Sequence, residues 1–162
     1  MFLRKDDNQS WDDVLEAAEE WEAEDASGGP PDAAAWALIV ADARLILGGE
    51  VEEFRSADAF ELSHVPTGVQ VSLFGAEAGI TVPYWYKGAD AMVIMELVYR
   101  LGHIVEKHTG MSGYDGQVGM ALAEATSRPR LSAKVFDQVA ESFARRPIGS
   151  PSNDAADWEV DI

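Results

Sequence analysis

Apolar residues recur at helical spacing near both ends of the chain and alternate with polar ones in its middle. Trp11, Val14, Leu15, Ala18 and Trp21 share one face of a helix predicted over Ser10 to Asp25. Ser10 can cap it, and Asp12 and Asp13 suit its positive end. Asp32 caps a second run bearing Trp36, Ile39, Val40, Ala43, Ile46 and Leu47, which Gly48 and Gly49 end. Its β-rich "WALIV" leaves a strand open as an alternative for part of it. Phe60 to Val65, Val69 to Phe74 and Ile80 to Tyr86 alternate with period two, and "PTG" and "GAEAG" between them are hairpin signals. Pro83 lacks a ladder donor, so the third strand is expected at an edge or a bulge.

Ala89 to Thr109 is the clearest helix, with Asp90 in its first turn and Gly110 where a left-handed cap is expected. Ile94, Leu97, Val98, Leu101, Ile104, Val105 and His108 form its predicted core stripe, and Met92, Met95 and Tyr99 fall toward the other side. Around Ser112 to Gln117 a fourth strand is expected, then "VGMALAEATS" as weak helix or loop, then a final helix capped by Ser132 and running through Arg146. These elements predict an α+β fold, a mainly antiparallel sheet of three or four short strands packed by helices. Residues 1–146 form one domain in which the acidic helix within 1–28 can be peripheral, and 147–162 read as a flexible acidic tail.

Charge adds what the pattern does not show. The formal net charge is -17, and between Asp6 and Ala43 there are 12 acids and no lysine or arginine. From Arg44 to Arg146, 13 acids face 10 bases, so a near-neutral body carries an acidic N-terminal third. Such a field repels nucleic acid and anionic membranes and attracts basic proteins, although acidity for solubility alone is the plainer alternative. No run of about 18 apolar residues exists to span a bilayer, and the acidic start lacks a signal-peptide core, so a cytoplasmic location is expected. The chain has no cysteine, which removes disulfides, thiolate metal sites and a cysteine nucleophile.

The remaining chemistry is sparse, and neither a metal nor a cofactor is expected. His103 and His108 are five residues apart on a helix, unlike the i, i+4 pair that holds zinc. No Gly-x-Ser-x-Gly occurs, and no serine has an evident activating base, so no reaction is assigned. The glycine-rich "GMSGYDGQVG", residues 110–119, lacks the Lys-Ser/Thr of a phosphate loop and follows a helix rather than a strand. It reads as a cap and a turn into an edge strand, with Tyr114 expected partly buried and Asp115 bonded to nearby amides.

The strand ending "VPYW", Val82 to Trp85, followed by the long helix and "HTGMSGYDGQ", resembles small bacterial α+β proteins in which a helix ending in glycine leads to a Tyr-Asp-Pro-Gln strand. Here Gly116 stands in the place of the proline, and the resemblance covers about residues 60 to 120. Some such proteins are suspected immunity proteins of bacterial toxin systems, so the resemblance implies binding rather than catalysis.

The first expectation is therefore a cytoplasmic immunity protein or inhibitor that occupies a basic site on a toxin or nuclease. Asp12, Asp13, Glu16, Glu19, Glu20 and Glu22 supply attraction, Trp21 and Tyr114 are candidate anchors, and Asp115 stands beside them. The alternative is a small-molecule-binding protein or enzyme with a pocket near Tyr84, Tyr86, Tyr114 and Asp115. A third possibility is purely structural: the acidic helix docks on the last helix, which bears Arg128, Arg130, Lys134, Arg145 and Arg146.

Overall fold

The computed structural model describes residues 1–23 and 28–145. In chain order the elements are β1 (Phe2–Leu3), α1 (Trp11–Ala23), α2 (Ala33–Leu47), β2 (Val51–Arg55), β3 (Phe60–His64) and β4 (Val69–Leu73). There follow β5 (Glu77–Thr81), α3 (Gly88–Thr109), β6 (Ser112–Asp115), β7 (Met120–Ala121), α4 (Leu122–Thr126) and α5 (Pro129–Arg145). The fold is α+β, and its antiparallel sheet has seven strands in the order β2-β3-β4-β5-β1-β6-β7.

The sheet is thus larger than the three or four strands expected. β1 and β7 are two residues each, too short to show a period, and β2, "VEEFR", is too polar to stand out. Phe2 pairs with Ala78 on one side and with Gly113 on the other, so β1 joins a four-strand meander to the β6–β7 hairpin. This puts β5 inside the sheet. Pro83 lies beyond its end at Thr81, so the proline marks the exit from the strand and not an edge.

Local signals set most helix ends. Asp32 Oδ1 accepts from the amides of Ala34 and Ala35 at 2.9 and 3.0 Å, and "WALIV" continues as helix. Ser10 and Asp13 exchange a reciprocal cap, the Asp13 amide donating to Ser10 Oγ and the Ser10 amide to Asp13 Oδ2. Gly110 closes α3 in the left-handed region, φ 69°, its amide donating to Glu106 O. Ser132, however, is no cap: α5 opens at Pro129, which loses nothing at a first helical position, and Ser132 is fully buried one turn later.

Leu62, Val69, Val71 and Leu73 meet Trp36 and Ile39 of α2 and Ile94, Leu101 and Val105 of α3 in one core. Each such side chain contributes about 1.5–3 kcal/mol on burial. Helix α3 contacts α2, α4 and α5 as well as the sheet, so its covered arc is wider than one stripe. Met95 and Tyr99 are buried for that reason, and Leu97, Val98 and Ile104 only partly so. His64 is a satisfied core group. The Gly48 carbonyl can only accept, so Nε2 donates to it at 2.8 Å and Nδ1 bonds Thr67 Oγ1.

Residues 24–27 and 146–162 lie outside the described part, and with them the end of the first predicted helix and the acidic tail. Among the described residues no helix is long and apolar enough to cross a membrane.

Candidate functional site

The turn after β6 is built from hydrogen bonds that run from the buried Tyr99–Ser132 pair out to the exposed turn amide. Asp115 Oδ2 accepts from the Tyr99 hydroxyl of α3 at 2.7 Å, and the Ser132 hydroxyl of α5 sits within bonding reach of both oxygens, 3.1 Å from Asp115 Oδ2, with one proton to give to either the carboxylate or the Tyr99 oxygen. Asp115 Oδ1 takes the Gln117 amide at 3.0 Å, and Asp115 O takes that of Gly119. One carboxylate therefore ties β6, α3, α5 and its own turn together. Burial pushes the Tyr99 phenol well above its ordinary pKa; the bond from Ser132 opposes this and the Asp115 carboxylate adds to it, so the phenol stays a proton donor.

The strand itself is anchored from two sides. Glu106 Oε1 accepts from the Gly113 amide at 2.7 Å, and Met1 and Tyr114 exchange a reciprocal pair of main-chain bonds. Gly113 is glycine for a steric reason: a Cβ there would come within 2.8 Å of the Phe2 ring and 2.9 Å of Leu122 Cβ. Beside this strand is a cleft of about 220 Å³ lined by Ile80, Val82, Met95 and Val98 and by Tyr114 and Asp115.

Helix α1 reaches the same place. The Trp11 ring packs on the Tyr114 ring, centroids 4.9 Å apart and tilted by 36°, and Val14 one turn on is buried. Asp12, Asp13, Glu16, Glu19 and Glu20 remain exposed. Among the described residues no ion pair joins any of them to a base, and none links α1 to α5. The side chains of Trp21 and Glu22 lie outside the described part.

The structure thus brings Tyr114, Asp115 and the acidic face of α1 together, through Trp11. Of the four residues expected near a pocket, Tyr114 and Asp115 line the cleft. The Tyr86 hydroxyl donates to Thr67 O, and Tyr84 reaches the turn only by accepting from Gln117 Nε2 at 2.5 Å while its ring packs on Phe136. Tyr99 and Ser132 were not foreseen as partners of Asp115. Tyr99 fell off the predicted stripe, and a serine near a helix start reads as a cap. Trp11 carried a visible signal, as the first apolar residue of an otherwise acidic helix.

The histidines go to separate places: His103 bonds Glu106 and Thr126, His108 bonds Asp42 at 2.7 Å, and His64 is internal. Among the described residues no group of three or more His, Asp or Glu is placed to hold a metal ion. Ser132 has no exposure to solvent, so its hydroxyl is not presented to a substrate. Comparison with protein-family models, with curated proteins and with solved structures found no match.

Proposed function

We propose that this is a protein-binding protein, in the manner of an immunity protein or inhibitor, whose α1 surface engages a basic site on a toxin or nuclease. The observation that carries the reading is the presentation of α1. Its exposed carboxylates have no basic partner among the described residues, and Trp11 at the start of the helix packs on Tyr114 of β6. Carboxylates held on a docked helix lose less freedom on binding than those on a loose arm, and they steer a basic partner from a distance.

Tagged full-length protein should retain a basic protein from lysate of its bacterial host at low salt and release it at high salt. Changing Asp12, Glu16, Glu19 and Glu20 together to Asn and Gln should abolish retention, and the purified pair should show loss of the partner's activity. Retention that ignores both salt and these substitutions would refute the proposal.

One observation favours a second reading. The apolar cleft beside Tyr114 suits a small hydrophobic ligand, although Asp115 is already engaged there by Tyr99, Ser132 and the Gln117 amide. Met95→Trp would fill that cleft. Ligand-induced stabilisation that vanishes in this variant would support this reading over the first.

A further inference from the structure

The two edges of the sheet are unlike. On the far side β7 is only Met120–Ala121, too short to template another chain. On the near side β2 runs five residues in unbroken register with β3, from Val51 against His64 to Arg55 against Phe60. It has no proline, lysine or bulge, and the guards it does carry are the charges of Glu52, Glu53 and Arg55. Glu52 through Arg55 are exposed, and Phe54 keeps 59% of its surface in solvent. Among the described residues β2 has β3 as its sole strand neighbour.

The ladder shows which groups are free. The Val65 amide donates to Glu50 O and the Ser56 amide to Ala59 O, so even-numbered residues of β2 bond inward to β3. By the alternation of an antiparallel ladder, the amides and carbonyls of Val51, Glu53 and Arg55 point outward.

We propose that this edge is a homodimer interface, β2 pairing antiparallel with β2 of a second copy about a two-fold axis at Phe54. In this register Glu53 lies opposite Arg55 of the partner and Arg55 opposite the partner's Glu53, and both are outward-bonding positions. Phe54 faces its own copy as a pair without main-chain bonds, where side chains approach closest. Within one chain Arg55 Nε already bonds Glu53 Oε1 at 2.7 Å, so two copies complete an alternating ring of four charges. Charge selects the register. A two-fold axis at Glu53 or at Glu52 would set those carboxylates directly against themselves, which is unfavourable.

The dimer leaves the acidic helix free. Four strand spacings separate β2 from β1, about 19 Å, so the two α1 surfaces would stand at opposite ends of a joined sheet. The inference does not depend on what α1 binds.

Sedimentation velocity of the full chain tests it. At about 100 µM, suited to a small interface, the 17.6 kDa chain should sediment mainly as a dimer. Glu53→Arg and Arg55→Glu should each weaken dimerisation about tenfold or more by opposing like charges, and mixing the two variants should restore a mixed dimer. Because Glu53 also holds Trp36 Nε1, a second variant guards against misfolding. The natural chain has no cysteine, so Phe54→Cys should cross-link to itself on mild oxidation, and Glu52→Cys on the same face should not. A monomer at every concentration, a dimer indifferent to Arg55→Glu, or equal cross-linking of both cysteine variants would overturn the proposal.

Discussion

Trp11 of α1 rests on Tyr114 of β6, two aromatic rings from elements far apart in sequence, 4.9 Å between centroids. The contact joins the most acidic stretch of the chain to the glycine-rich turn. Trp11→Ala should cost about 1–2 kcal/mol, counting the aromatic pair and the apolar area it covers. Amide exchange in α1 should accelerate more than exchange in β3 and β4. Equal protection of α1 in both proteins would show that the helix is held by something else.

The three bonds on Asp115 are unequal. Ser132→Ala removes one donor and leaves the Tyr99 bond, so a loss of about 1 kcal/mol is expected. Asp115→Ala leaves the Tyr99 and Ser132 hydroxyls only each other, so one buried hydroxyl proton loses its acceptor, and it frees the Gln117 amide, for which about 2–4 kcal/mol is expected. Urea unfolding of the two variants gives both values, and a larger loss from Ser132→Ala would contradict the assignment of Asp115 as the hub.

The raised Tyr99 pKa sets an alkaline limit. The folded state keeps a proton that the unfolded chain releases near pH 10, so this contribution is intact below about pH 10 and declines as pH rises further. Tyr99 should resist ionisation in an absorbance titration until the chain unfolds. Tyr99→Phe should remove that resistant transition, and its persistence would refute the assignment.

At the acidic end the relevant group is Asp42. Its bonds from His108 at 2.7 Å and from Lys107 at 3.2 Å hold the carboxyl below its ordinary pKa. A depressed carboxyl stabilises above its unfolded pKa near 4, and the gain is lost as pH falls through the lower folded value. Asp42→Asn should therefore shrink the difference between urea midpoints at pH 7 and pH 3. Glu53, also held low by its bonds from Trp36 and Arg55 against the effect of burial, would still supply part of that difference.

Two glycines around Phe2 differ in what an added methyl would do. At Gly102 it would meet the mobile tips of Leu122, 2.8 Å away, and a helix gains about 1 kcal/mol from Ala over Gly. At Gly113 it would meet the Phe2 ring and the Leu122 Cβ, with no propensity to offset it. Gly113→Ala should cost about 1–3 kcal/mol and Gly102→Ala clearly less, by thermal unfolding of each variant.

What the sequence showed and what it hid divide along the reach of the interaction. Ser10, Asp32 and Gly110 act within four residues, so their roles were visible as local chemistry. The glycine-rich decade was legible as a cap and turn for the same reason, and Asp115 does hold a nearby amide. Its bonds to Tyr99 and Ser132 cross between elements, and no local pattern encodes them. Likewise β1 exists because Phe2 and Leu3 find open ladders on β5 and β6, a fact about the assembled sheet.

That two-residue strand is also the seam of the sheet. The meander β2 to β5 contains only hairpin pairings between sequential strands, and β6 with β7 is another. Only β1 stitches them, and its partners, Ala78 and Gly113, lie far along the chain. Closing those long loops costs entropy with little ladder to offset it, so the stitch should form late and open early. In native-state exchange, the molecule would part first along this line, into a four-stranded half and a two-stranded half, well below the free energy of full unfolding.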